Sequence, residues 1–407
     1  MSTAERLMRY CRYDTQSDPD SGTHPSSEKQ FVLAKQLVEE LKILGLEDAS
    51  VDEHCYIYAH LPANTEQKCP TIGFIAHMDT APDYSGTNVN PRLIEQYDGG
   101  DIQLSETMVT RISDFPQLAH FKGKTLIVTD GTTLLGADDK AGIATIMEAM
   151  RYYHEHPDVM HGAVSVAFTP DEEIGEGAMF FDPEQMKADY AFTVDGDTIT
   201  DYSDETFNAA SVSVIVKGLS VHPGEAKNKM KNAALIATEY AGLLPDWLTP
   251  SHTEGKEGFI HLTSISGDIA EAKLDYILRD HDAAKLESYY HLMEQTAALL
   301  NARYGDGTIS TAFTKSYRNM KDVLKDHPEV SALAQRAIQA IGYEPRNVPI
   351  RGGTDGSNIS FMGLPCPNIG NGGGNFHGPY EYCVVEELED TVRLIRKMVE
   401  LTLEDAK

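Results

Sequence analysis

Apolar residues recur along this chain with two different spacings. In "SEKQFVLAKQLVEELKILG" (27–45), Phe31, Ala34, Leu37, Val38, Leu41 and Leu44 fall at three- and four-residue steps. That is one face of a helix, with Ser27 placed to cap it and Gly45 to close it. Four other runs, "TIGFIAH", "TLIVTD", "AVSVAFTP" and "YAFTVDG", are short, apolar and ended by polar or turn residues. They predict strands buried on both faces. Between the second and third lies "AGIATIMEAMRYYHEH", with a helical stripe at Ile143, Ile146, Met147 and Met150 and Pro157 beyond its end. Strands alternating with helices predict an α/β sheet with helices on its faces.

From about Phe207 the texture changes. "FNAASVSVIVKG" alternates like a half-exposed strand, and "NKMKNAALIATEYAGLL" reads as a helix. Two strands follow, then a long helix, "AAKLESYYHLMEQTAALLNARYG", and a last strand, "TISTAFTKSYRNM". The order βαββαβ is that of a ferredoxin-like unit. After Lys321 helical patterning returns, ending in "EELEDTVRLIRKMVELTLE". The expected organisation is therefore a mixed α/β domain made of 1–206 and 322–407, with a smaller domain, 207–321, inserted into it. There is no internal repeat and no low-complexity tract.

A chain of 407 residues is long enough for two cores. Its formal net charge of -29 argues against nucleic acid or anionic membrane as a partner, and most of that acidity serves solubility. The five cysteines are scattered and form no Cys-x-x-Cys pair, which argues against a disulfide framework or a cysteine zinc site and fits a reducing cytoplasm. The first residues, "MSTAERLMRYCRYDTQSDP", carry charges and no apolar signal core. No run is long and apolar enough to span a bilayer.

The polar residues at the strand ends carry the chemistry. In open α/β sheets, ligands gather beyond the carboxyl ends of the strands. There the chain places "AHMDT" (His77, Asp79), "GADDK" (Asp138, Asp139), "PDEEIG" (Asp171, Glu172, Glu173) and "VDGD" (Asp195, Asp197), and "NFHG" brings His377 later. Singly, each has a plain structural meaning: a helix cap, a solvated loop, a turn. Together, so many carboxylates would repel one another, and some would have to stay protonated. A divalent cation resolves this. Mixed imidazole and carboxylate ligands suit zinc, with cobalt or manganese as substitutes. Four carboxylates and two histidines exceed one tetrahedral ion. Two ions about 3.5–4 Å apart, sharing one carboxylate, would use them all, activating a water and polarising a substrate oxygen.

"FIAHMDTAPD", "LLGADDKAGIA", "AFTPDEEIGEGA", "YAFTVDG", "VHPG", "YILRDHD", "IRGGTDGSNISFMGLPCPNI" and "NFHG", in this order, resemble the M20 metallopeptidases, and within them the tripeptide aminopeptidases. The resemblance runs from the N-terminal helix to the last one. It implies a zinc-peptidase-like catalytic domain, a lid and dimerisation domain, and a homodimer acting on short peptides. It implies two zinc ions per subunit, one on His77, Asp138 and Asp195 and the other on Asp138, Glu173 and His377. Asp79 would support His77, since a carboxylate on the other imidazole nitrogen fixes tautomer and orientation. Glu172 would be the general base. His222, in the inserted domain, would reach the partner subunit's active site and bind the oxyanion. Arg351, Arg279 and Asn232 would face substrate, the arginines suiting a carboxylate. The resemblance also implies a cis Asp138–Asp139 bond, and the glycine-rich "GNGGGNFHG" predicts a mobile loop before His377.

Three rivals stand beside this reading. "DGDT" (195–198) fits the Asp-x-Asp-x-Thr of haloacid dehalogenase-type phosphatases, but "ITDYSDETF" follows with no clear helix. A non-catalytic peptide-binding relative would have no need of Glu172. An M20 hydrolase of dipeptides or N-acyl-amino acids would share the fold.

Overall fold

The computed structural model describes residues 1–406. The chain forms two compact units. One comprises Met1–Asp204, Val323–Val348 and the chain from Thr354 on; the other comprises Glu205–Asp322 with the strip Pro349–Gly353.

The first unit is built on an eight-stranded mixed sheet, in the order Ser50–Val51, Ile57–Leu61, Val164–Thr169, Ile72–His77, Tyr190–Gly196, Asn368–Gly370, Asp201–Ser203, Arg346–Asn347. The four strands from Val164–Thr169 to Asn368–Gly370 run parallel. Every residue of Ile72–His77 and Val164–Thr169 is buried, which is why these runs are apolar without alternation. Register sets the functional edge. His77 pairs with Thr169 on one side, and Ile75 pairs with Thr193 on the other. Asp195 therefore comes level with His77, and the residues after Thr169 turn over the same edge.

Two expectations change. "TLIVTD" is a strand, Leu126–Val128, but it lies outside the main sheet. It pairs with Arg92–Ile94 and Tyr382–Val384 in a separate four-stranded sheet that also holds Gly373–Gly374. A short apolar run specifies burial and leaves its partner open, and both partners here are remote in sequence. The helix after Ser27 begins only at Gln30, with no side-chain cap. Ser27 contributes its carbonyl to the Gln30 N–H (3.2 Å), while the Gln30 side chain is drawn to Asp171 (2.6 Å).

The helix Ala137–Glu155 carries the expected stripe into the core, with Ile143, Ile146, Met147 and Met150 fully buried. Asp138 and Asp139 have non-helical backbone angles, and the bond between them is cis. At Gly142 the helix meets the Asp195 strand so closely that an added Cβ would fall inside the contact distance of Val194 O and of the Asp139 carboxylate.

The second unit has the predicted order βαββαβ: Asn208–Lys217, Ala233–Leu243, Phe259–Gly267, Glu271–Asp280, Ala283–Tyr304, Ile309–Lys315. All neighbouring strands are antiparallel, with Glu271–Asp280 and Asn208–Lys217 in the centre. Alternate residues Val212, Val214, Val216, Leu274, Tyr276 and Leu278 form its core with the two helices. The strip Pro349–Gly353 belongs here too: the Phe207 N–H donates to Gly352 O (3.3 Å), and Arg351 lies over the rings of Phe207 and Phe259. Among the described residues, no helix is long and apolar enough to cross a membrane.

Gly142→Ala is expected to destabilise the protein by roughly 1–3 kcal/mol, the usual cost of overpacking. Urea denaturation would read the loss as a lower midpoint at unchanged slope.

Candidate metal centre

The sheet edge brings six of the sequence-selected residues together. His77 Nε2 stands 3.0 Å from Asp138 Oδ1 and 3.7 Å from Asp195 Oδ1. His377 Nε2 stands 3.2 Å from Asp138 Oδ2 and 2.9 Å from Glu173 Oε2. The donor atoms of His77, Asp138 and Asp195 lie within 4.8 Å of one another, and so do those of Asp138, Glu173 and His377. The two groups share Asp138. Glu172, the sixth residue, immediately precedes Glu173 on the same 3-10 turn.

Burial and crowded charges shift most groups in this cluster. Burial and neighbouring carboxylates hold Glu172 and Asp195 well above the usual carboxylate range. Burial and the charge of Asp138 push Glu173 up to about 7. Burial works against Asp138 also, yet the two imidazoles draw it below its ordinary value. Burial disfavours a charged His77, but Asp195, Asp138 and Asp79 outweigh this and raise it. Hydrogen bonds to Asp138 and Glu173 push His377 up to about 11. Glu173 Oε1 is buried without a hydrogen-bond partner, a costly state for a carboxylate oxygen. The donor set, one imidazole and two carboxylates in each group, fits divalent metals of the zinc type.

Around these side chains, other carboxylates hold backbone. Asp79 accepts the N–H of Glu172 (3.0 Å) and of Glu173 (3.1 Å), fixing the turn that carries both. It also lies beside His77: Nδ1 is 3.1 Å from Asp79 O and 3.3 Å from its Oδ1. Asp139 turns away from the shared position and accepts from His77 N (3.2 Å), Gly142 N (3.1 Å) and Asn371 Nδ2 (2.9 Å). Lys140 is buried, donating to Tyr13 O (2.8 Å). Asp171 points to the N-terminal segment, where Ser26 N and Oγ and Gln30 Nε2 bind it.

Sequence reasoning missed three residues here. Glu381, fully buried, accepts the N–H groups of Leu135 (2.7 Å), Gly136 (2.8 Å) and Asp138 (3.0 Å) and so holds the loop that presents Asp138. Asn371 secures Asp139. Asp355, pushed up to about 7 by burial, accepts from Thr169 Oγ1 (2.6 Å). The chain hinted at them only by position: Glu381 stands close to His377, Asn371 lies in the glycine-rich run before it, and Asp355 lies in "RGGTDG". The glycines before His377 have a packing reason: Gly373 and Gly374 pair with Cys383 and Tyr382, and side chains there would run into Phe376 and Tyr382. His377 itself has φ 62°.

Residues 120–401 match the profile of Peptidase family M20/M25/M40. This chain belongs to the M20 peptidases. A peptidase T of Geobacillus thermodenitrificans is 52% identical over 399 residues, covering 98% of this chain and 97% of that protein. One from Alkaliphilus oremlandii is 51% identical over 401 residues, covering 98% of each. An aminopeptidase from Bacillus cereus has a solved structure with a TM-score of 0.76 at 24% identity, covering 98% of each chain. A tripeptidase from Staphylococcus aureus gives 0.79 at 21%, covering 99% of this chain and 98% of that one. At these identities the two structures speak for the M20 fold alone.

The remaining selected residues of this M20 peptidase lie in the second unit. His222 is exposed, and its Nδ1 accepts the Gly224 N–H (3.2 Å). Asn232 caps the helix Ala233–Leu243 through Leu235 N (3.2 Å). Arg279 donates to the carbonyls of Ala210 (3.2 Å) and Leu278 (2.9 Å) and lies over Tyr317. Arg351 donates to the carbonyls of Gly255 (2.9 Å) and Glu257 (2.7 Å) and to Thr253 Oγ1 (3.0 Å). The bonds of both guanidinium groups go to neutral oxygens.

Metal binding is expected to release protons. Ligation needs neutral imidazole and ionised carboxylate, whereas the metal-free site keeps Glu173 protonated up to about pH 7 and His377 up to about pH 11. Apparent affinity therefore rises as pH rises through 7. Calorimetry in buffers of different ionisation enthalpy would count the protons; release of none at pH 7 would contradict the electrostatics described.

Proposed function

We propose that the chain is a tripeptide aminopeptidase that binds two zinc ions, on His77, Asp138 and Asp195 and on Asp138, Glu173 and His377. The observation that carries this reading is the sharing of one carboxylate, Asp138, between two three-residue donor sets with Glu172 beside them. Relatives named peptidase T at about half identity over nearly the whole chain supply the substrate class.

Two divalent cations at such a site supply a Lewis acid for the scissile carbonyl and lower the pKa of water. The chain's own residues do the rest. Glu172 accepts a proton from the attacking water and passes it to the leaving nitrogen. Its backbone is clamped by Asp79, so the carboxyl is positioned before substrate arrives. His222 donates to the oxyanion. In support, its Nδ1 already accepts a backbone N–H, which leaves the ring proton on Nε2. Arg351 and Arg279 bind the peptide carboxylate; in support, their hydrogen bonds go to neutral oxygens rather than to a carboxylate of the chain. Asn232 borders substrate beside its helix cap. The protein acts as a homodimer through the second unit, where Leu235, Leu243, Trp247 and Leu299 are exposed. We place it in the cytoplasm on its scattered cysteines.

Glu172→Gln is expected to keep its metal, measured by elemental analysis, and to lose about 10²–10⁴-fold or more in kcat. Near-normal turnover would remove Glu172 from the role of base. With the unmodified enzyme, tripeptides are expected to outrun di- and tetrapeptides and N-acyl-amino acids, and a strong chelator to abolish the activity. Preference for N-acyl-amino acids would refute the aminopeptidase reading, and indifference to chelator the metal.

A further inference from the structure

A cavity of about 640 Å³ in the first unit is bounded by the two loops that carry candidate ligands: Asp197 and Thr198 follow Asp195, and Gly374 and Asn375 precede His377. Phe121 and Tyr382 add aromatic surface to its lining. Its volume lies within the ~300–1,000 Å³ of small-molecule sites. Four acids border it, and they are not equivalent. Asp201 is taken up by Arg346, which holds it with two bonds of 2.8 and 2.9 Å. Glu387 accepts from Lys124 Nζ (3.2 Å) and Ile199 N (3.2 Å). Glu344 sits exposed on the segment after the helix Pro328–Ala340. Asp197 alone stands two residues from a candidate ligand. Its backbone is pinned, because Asp197 O accepts from Asn371 (3.1 Å) and Gly372 (2.7 Å). Among the described residues its carboxylate has no hydrogen bond or ion pair; the charges of Asp201, Asp138 and Arg346 all reach it, that of Asp201 most strongly.

The chemistry of an aminopeptidase asks for such a group. The substrate's ammonium is separated from the scissile carbonyl carbon by one carbon atom. Cations at the centre repel it, so an anion is needed a few ångströms to one side, with room beyond for the first side chain.

We propose that this cavity receives the N-terminal residue of the substrate and that Asp197 binds its α-ammonium group. The inference rests on the aminopeptidase reading above and adds the residue that would make a free N-terminus a requirement. Asp197 is a binding residue here, acting on KM and on the choice between free and blocked peptides.

The test uses the metal-loaded enzyme with trialanine, N-acetyl-trialanine and propionyl-dialanine, which lacks the amine. Asp197→Asn is expected to raise KM for trialanine about tenfold or more, the loss of one charge-assisted hydrogen bond. The kcat should stay within about threefold and the two amine-free peptides be unaffected, so the preference for a free amine collapses. Asp197→Glu, which keeps the charge, should recover part of the affinity. Metal content equal to that of the parent shows that a variant's site is intact. A parent enzyme that prefers trialanine, with an Asp197→Asn variant of unchanged KM, overturns the ammonium site while leaving the aminopeptidase reading standing. A parent enzyme that prefers the blocked peptides overturns both. Equal KM increases for all three peptides would mean general damage to the cavity and would also overturn the assignment.

Discussion

One carboxylate faces two imidazoles. Asp138 must present Oδ1 to His77, at the end of a central strand, and Oδ2 to His377, on a remote loop. Several features of the first unit serve that requirement. The parallel strands bring His77, Asp195 and the Glu172–Glu173 turn to one edge. Glu381 grips the backbone before Asp138 with three N–H contacts, and it lies on the same loop as His377. Moving the shared carboxylate would therefore disturb both donor sets together.

The division of labour among the acids follows from hydrogen bonding. Carboxylates that meet backbone N–H groups are organisers: Asp79 for the glutamate turn, Asp139 for the helix start, Glu381 for the Asp138 loop, Asp171 for the N-terminal segment. Those left for ligand chemistry are the ones whose oxygens find only imidazole or each other, and Glu173 Oε1 finds nothing. An acid tied to backbone donors has already spent its lone pairs, and its charge is matched where it stands.

Much of this was legible in the amino-acid order, because period and position are local properties. Buried strands show as continuous apolar runs, and polar residues at their ends mark the edge where chemistry gathers. Four things were not legible. The partner of Leu126–Val128 depends on segments far away in the chain. The start of the helix at Gln30 depends on Asp171, more than a hundred residues later. Asp171 and Glu173 sit in one acidic triplet and face different neighbours, which only the backbone turn decides: Asp171 has φ 55°. The roles of Glu381 and Asn371 were hidden, since a side chain that holds a loop or another side chain in place is recognisable only once that partner is in place.

The strip Pro349–Gly353 has a consequence for modularity. The second unit is assembled from two separate pieces of chain, so the polypeptide passes between units four times. Arg351, at the middle of the strip, rests on Phe207 and Phe259. A cassette excised at the obvious sequence junctions would leave that arginine behind and uncover two aromatic rings. Exchange of this unit between relatives, by recombination or by design, must therefore carry both pieces at once.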